Sequence, residues 1–291
     1  MVDLSALKRL DVADIHAPGL LARALHMQMG PTDGPVPITD IASALDISYI
    51  SIDEYDGFEG MLLTDRRRSD GVILANSRNG MPRARFTIGH ELGHFLLERH
   101  TCSSKQGFLC TKKDLRAKSA ADQHWRQESE ANRFAIELLA PKDRFRAFLN
   151  ADPDLEHVRE AAGRLDLSKE ATARRYLDLS DAMMTMVFHR NGRVRYFERP
   201  QRFPFLSLGK GATMPKAVSD SRGIDPVSAL VEGDPKDWFD GPPGANLWIQ
   251  TLFQSNGYGI TMLLLDDDGY GDSNDESHEP EDMFNRYSRF G

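Results

Sequence analysis

Arg85-Phe86-Thr87-Ile88-Gly89-His90-Glu91-Leu92-Gly93-His94-Phe95-Leu96-Leu97 is the most informative stretch of this 291-residue chain. Its apolar positions predict a helix over about Arg85 to Glu98, following the breaks Asn79-Gly80 and Pro82. Positions i and i+4 of a helix share a face, so the imidazoles of His90 and His94 can reach one ion. Glu91 is offset around the helix, where it can touch water at that ion without being a ligand. Leu92, Phe95 and Leu96 supply a buried face around the motif. Five residues in this pattern also arise by chance as two surface histidines, so further donors are needed.

A second amphipathic helix is predicted from about Trp125 to Leu139, stopped by Pro141. Glu128 lies on it, 34 residues beyond His94, as the candidate third ligand. Asn132 is one turn further on, placed to hydrogen-bond a ligand from outside. Ala131 and Ala135 are small enough to let this helix approach the first. Two His and one Glu with a fourth position left for water is the arrangement of a catalytic zinc site, not a closed structural one.

These segments, the second read in full as Glu128-Ser129-Glu130-Ala131-Asn132-Arg133-Phe134-Ala135-Ile136-Glu137-Leu138-Leu139-Ala140-Pro141, resemble the ImmA/IrrE family of zinc metallopeptidases. That family's pattern is close to R-F-T-(I/L)-A-H-E-L-G-H followed by E-x-E-A-N-x-F-A-x-x-L-L-M-P. The resemblance covers about residues 18–150 and weakens over 151–265. It implies His90, His94 and Glu128 as ligands of one Zn2+ and Glu91 as general base, with Glu130 a rival third ligand and His124 an outside candidate. Mn2+ or Fe2+ would suit the same ligands. The implied activity is endopeptidase cleavage of a specific protein partner, a transcriptional repressor or antitoxin-type regulator, in a stress or mobile-element response. Gly89 stands where the family has Ala and Ala140 where it has Met. The stretch between the motif helices, about 99–124, is long enough to be a lid or an insertion.

The rest of the chain frames this site. The expected fold class is α+β: a small twisted sheet packed on the two motif helices, a helical linker, then a smaller α/β domain. The expected organisation is an extension over 1–17, a metallopeptidase-like domain over 18–150, a linker over 151–180, a C-terminal domain over 181–265 and an acidic disordered tail over 266–291. Helices are predicted over Pro18–Met29 and Ile38–Leu45. Strands are predicted over Tyr49–Tyr55, Gly60–Thr64 and Val72–Asn76. Ile73, Leu74, Ala75 and Asn76 are candidates for pairing with substrate backbone along a sheet edge. Arg66, Arg67 and Arg68 read as a solvated loop tip. Leu155–Arg164 and Ser168–Leu179 read as a helix-turn-helix-like pair, for which DNA contact is the lesser expectation beside simple packing. Asn191-Gly192 between Met183–His189 and Arg193–Phe197 predicts a hairpin, and Tyr258–Leu265 a final strand.

Composition narrows the classes. The formal net charge is −8, but Asp266 to Asp282 holds nine acids and no Lys or Arg. Outside it the chain carries 36 basic and 35 acidic residues, which excludes a global basic field for nucleic acid. The acidic run fails the spacing of an EF-hand calcium loop. Cys102 and Cys110 do not form a disulfide framework and read as ordinary reduced thiols. The first residues lack a signal-peptide core, and the longest apolar run is about six residues, so a cytoplasmic protein with no membrane contact is expected. The competing functional reading is a regulatory protein- or DNA-binding module with a structural or vestigial metal site. A purely structural site has no need of Glu91, which argues for the enzyme.

Overall fold

The computed structural model describes residues 4–101, 107–110, 123–149, 152–241 and 243–266. The chain divides into two compact units. The first runs to Arg144 and includes Arg164–Leu167; the second comprises Phe145–Gly163 and the described residues from Ser168 to Asp266.

The first unit begins with a 3-10 turn, Arg9–Val12, then α1 (Pro18–Met29) and α2 (Ile38–Ala44). Strands β1 (Ile47–Asp53), β2 (Gly60–Thr64) and β3 (Gly71–Asn76) follow, then α3 (Met81–Leu96), β4 (Gly107–Cys110) and α4 (Gln123–Leu139). Residues 4–17 are not a loose extension. Leu7 and Val12 are buried, and Arg9 pairs with Asp46 at 3.4 Å. The sheet order is β1-β3-β2-β4, with β1 and β3 parallel and the other pairs antiparallel. β4 lies within the stretch whose conformation the sequence leaves open. It pairs Gly60 with Cys110 and Leu63 with Gly107. Cys102 and the rest of that stretch from 111 to 122 lie outside the described residues.

This topology corrects one expectation. β3 is hydrogen-bonded to β1 on one side and β2 on the other, so Ile73, Leu74, Ala75 and Asn76 offer no free edge to a substrate backbone. Ile73 and Ala75 are core, and Asn76 holds the preceding loop, donating to Tyr55 O and Phe58 O, both at 2.7 Å. A buried central strand and an edge strand are both apolar runs of similar length, and periodicity does not tell them apart.

The core of this unit lies between the sheet and helices α1, α2, α3 and α4. Leu21, Leu25, Ile38, Ile41, Leu62, Ile73, Ile88, Leu92, Phe134 and Leu138 are fully buried. His26 on α1 donates from Nε2 to Leu138 O of α4 at 2.8 Å. The decisive packing is α3 on α4. Gly89 and Gly93 of α3 face Ala135 and Ala131 of α4. A Cβ at Gly93 would lie 3.0 Å from Phe134 Cδ1 and 3.3 Å from the Ala131 Cα, and one at Gly89 would lie 3.3 Å from the Ala135 Cβ.

Arg68 also departs from its sequence reading. It is buried and in the left-handed region at φ 51°. Its guanidinium donates to Phe95 O at 3.1 Å, Leu97 O at 2.7 Å and His100 O. It therefore satisfies carbonyls that the end of α3 leaves without helical partners. A run of three arginines reads as solvated; only the turn geometry turns the third one inward.

After a single helical turn, α5 (Lys142–Phe145), come α6 (Leu155–Leu165) and α7 (Lys169–Leu179), the latter capped by Ser168 Oγ accepting from Ala171 N at 3.1 Å. β5 (Met184–Arg190) and β6 (Arg193–Glu198) form the expected hairpin. α8 (Lys216–Asp220), β7 (Val231–Glu232), β8 (Leu247–Phe253) and β9 (Tyr258–Leu265) complete a five-stranded antiparallel sheet in the order β6-β5-β9-β8-β7. One face carries a core of Val187, Phe203, Trp238, Ile249 and Leu263. On β5 and β6, Phe188 and Tyr196 stack at 4.6 Å, and the Arg174 guanidinium of α7 lies over both rings. α7 is buried from Ala171 to Leu177. The acidic tail beyond Asp266 lies outside the described residues. Among the described residues, no helix is long and apolar enough to cross a membrane.

The Gly93→Ala variant tests the α3–α4 contact. The alanine gains about 1 kcal/mol of helix propensity, but its methyl meets the Ala131 backbone, which cannot yield without parting the helices. Overpacking of this kind costs about 1–3 kcal/mol. A net loss of stability is expected, read as a lower urea midpoint at unchanged m-value. A variant more stable than the parent would show that the contact is not tight.

Candidate metal centre

α3 presents its His face inward because Leu92, Phe95 and Ile88 anchor it on the core. α4 presents Glu128 to the same point because Ala131 and Ala135 seat it against Gly89 and Gly93. The result is a cluster of three donors, all buried. His90 Nε2 lies 3.2 Å from Glu128 Oε2, His94 Nε2 lies 3.2 Å from Glu128 Oε1, and the two Nε2 atoms are 3.1 Å apart. Among the described residues this is the one group of three such side chains close enough to hold an ion together.

The donor set fits a divalent cation. Two imidazole nitrogens and a carboxylate oxygen converge while the opposite ring nitrogens are engaged elsewhere: His90 Nδ1 is 2.9 Å from Asn132 Oδ1, and His94 Nδ1 is 2.9 Å from His100 Nδ1. Asn132 Oδ1 can only accept, so His90 Nδ1 donates to it, which leaves Nε2 as the nitrogen that would face a cation. Burial pushes His94 down to about 3, so it is neutral, the form that binds metal. Burial also acts to lower His90, but the hydrogen bond and charge of Glu128 outweigh it and raise its pKa. Burial would raise Glu128; the two histidines hold it well below the usual carboxylate range. A buried anion between two imidazoles demands positive charge, supplied by a proton or by a metal ion.

Glu91 is fully buried and lines a pocket with Glu59, Gly60, Arg83, Phe86, Thr87, His90 and Asn132. The start of β2 forms its wall. Gly60 passes so close to α3 that a Cβ there would lie 2.3 Å from Glu91 Oε1 and 2.5 Å from Thr87 Cγ2. Arg83 and Glu59 pair at 3.5 Å beside it.

Of the residues singled out from sequence, His90, Glu91, His94, Glu128 and Asn132 come together here. Glu130 does not. It lies 3.0 Å from His100 Nε2 and 2.7 Å from Arg99, turned away because residues two apart on a helix face different sides. His124 Nδ1 is 3.9 Å from Glu128 Oε1 with its side chain half-exposed, at the rim of the cluster. Two residues escaped the sequence reading, His100 and Gly60. His100 sits in a polar stretch without periodicity, and nothing local marks it. Gly60 opens a strand, where an interior-facing glycine does signal close backbone approach.

With this geometry in view, residues 55–177 match the model of the IrrE N-terminal-like domain family, Peptidase M78. The chain contains an IrrE N-terminal-like domain. Both motif helices fall inside the matched span, and the antiparallel five-stranded sheet of the second unit lies beyond it. The fold is also similar to that of a Mycobacterium tuberculosis transcriptional regulator, with a TM-score of 0.53 and 14% identity over 88% of this chain and 80% of the other. At that identity the likeness is one of fold. Comparison with curated proteins gives no match.

Zinc content measured by atomic emission should be about one per chain, and should fall to background in His90→Ala and Glu128→Ala. Retention of zinc by Glu128→Ala would move the third ligand elsewhere.

Proposed function

We propose that the chain is a zinc-dependent endopeptidase that cleaves a specific regulatory protein, of the repressor or antitoxin type. The observation that carries this reading is the buried Glu91 carboxylate beside the His90–His94–Glu128 cluster, lining a small pocket. A site that only stabilises the fold has no use for a fourth, non-ligating carboxylate facing a pocket.

Zinc bound to His90, His94 and Glu128 would supply Lewis-acid activation of a water and of the scissile carbonyl. The chain's own groups do the rest. Glu91 takes a proton from the attacking water onto a carboxylate oxygen and delivers it to the leaving amine nitrogen. Asn132 Oδ1 fixes the His90 ring, and the pocket walls at Phe86 and Thr87 limit water around the reacting groups. The Arg83–Glu59 pair places both signs of charge where a substrate side chain would enter, which suits selection by sequence over general digestion.

The narrow-substrate reading takes support from the family and from the presence of a second unit besides the one that holds the pocket. The transcriptional regulator of similar fold is compatible with a role in gene control, directly or through cleavage of a regulator. Direct DNA contact through the α6–α7 pair is disfavoured by its packing. Arg174 and Arg175, the cations a groove-binding helix would present, are buried, with Arg174 against Glu170 and Glu198 and Arg175 against Asp178.

Two variants test the enzyme reading. Glu91→Gln should retain zinc yet lower proteolysis by about 10²–10⁴-fold, the usual scale of a general base. The assay is the appearance of new N-termini in a proteome digest incubated with the zinc-loaded protein. Termini produced equally by wild type and Glu91→Gln would overturn the role of Glu91, and their absence with wild type would favour a binding module. Gly60→Ala should have a lower urea midpoint, since its methyl also meets Thr87 Cγ2, and its folded, zinc-loaded form should lose at least about tenfold in rate, because the methyl takes the place of the Glu91 carboxylate and an ångström of misplacement costs up to about 10².

A further inference from the structure

We propose that His100, held by Glu130 and Arg68, is a positioning residue of the metal centre that fixes the ring and tautomer of His94. The inference rests on the metal-site reading above and concerns a residue outside both sequence motifs.

The argument follows the hydrogens. Glu130 Oε2 lies 3.0 Å from His100 Nε2. The carboxylate also accepts from Arg99 Nε at 3.0 Å, and its other oxygen pairs with Arg99 Nη2 at 2.7 Å. A carboxylate held between an arginine and a ring nitrogen is an acceptor, so His100 Nε2 carries the hydrogen. His100 Nδ1 is then a lone pair. It lies 2.9 Å from His94 Nδ1. Two facing ring nitrogens make a hydrogen bond only if one is protonated, so His94 Nδ1 donates. His94 Nε2, 3.2 Å from Glu128 Oε1, is then the nitrogen left to face a cation in the cluster. The chain Glu130, His100, His94 thus does for one ligand what Asn132 does for the other.

The backbone is fixed as well. Arg68 Nη2 donates to His100 O, while Nη1 of the same guanidinium donates to Leu97 O and Phe95 O at the end of α3. The residue following the His helix is thereby tied to the helix that carries His94. The His100 side chain is fully buried and the Arg68 residue is 8% exposed, so both are sheltered from competing water.

The test uses the full-length chain and zinc itself. His100→Ala, measured by competition with a chelator, should bind zinc about 10–100-fold more weakly. His100→Asn, whose Oδ1 takes the place of Nδ1 as acceptor, should recover most of that loss. The hydrogen bond is read separately, by 1H–15N NMR of the His94 ring in the zinc-loaded protein: a slowly exchanging Nδ1–H coupled to His100 Nδ1 in wild type, and fast exchange in His100→Ala. Zinc affinity of His100→Ala within twofold of wild type, or a zinc-loaded wild type without that coupling, would overturn the proposal. A wild type that binds no zinc would instead overturn the metal-site reading on which the proposal rests. The wild-type coupling decides the matter even if His100→Ala does not fold.

Discussion

The close approach of α3 and α4 is the constraint on which the rest depends. Ligands on two separate helices meet only if the helix axes come near enough for imidazole and carboxylate to touch. Here glycines at 89 and 93 face alanines at 135 and 131, and even a methyl on Gly93 would sit against backbone. Small residues at i and i+4 on both helices make a flat seam. His90, His94 and Glu128 sit beside that seam, so its tightness sets their separations of 3.1–3.2 Å. The seam costs helix propensity at two glycines, a local weakness offset by the burial of Ile88, Leu92, Phe95, Phe134 and Leu138 around it.

The centre is a buried polar assembly, and such assemblies are favourable only when each member is satisfied. The outer contacts supply that: Asn132 for His90, His100 for His94, and Glu130 with Arg99 behind His100. Arg68 shows the same economy. One side chain in a left-handed turn answers carbonyls at the end of α3 and of the residue that backs His94. The sheet takes part through Gly60, whose lack of a side chain lets β2 run against Glu91 and makes the pocket wall and the carboxylate's seat one feature.

The second unit has its own logic. Its five-stranded sheet buries Val187, Ile249, Leu263 and Trp238 on one face, and places Phe188 and Tyr196 beneath the Arg174 guanidinium of α7. A helix that uses its arginines for packing has given them up for phosphate. The candidate metal centre and the antiparallel sheet therefore belong to separate units of one chain.

The sequence by itself picked out the candidate metal ligands His90, His94 and Glu128, which the fold brings together, the neighbouring Glu91 and Asn132, and the helices that carry them. All of these follow from helical spacing, which is local and written in consecutive residues. It also placed β2, the β5–β6 hairpin and β9, where turn residues bracket apolar runs. It left the strand between the motif helices unread, and it gave β3 an edge that β1 and β2 in fact close. Only the tertiary structure decided the roles of Glu130, His100, Arg68 and Gly60. Each acts through a partner 27 to 32 positions away, and no period along the chain records which distant residues a fold brings within hydrogen-bonding reach.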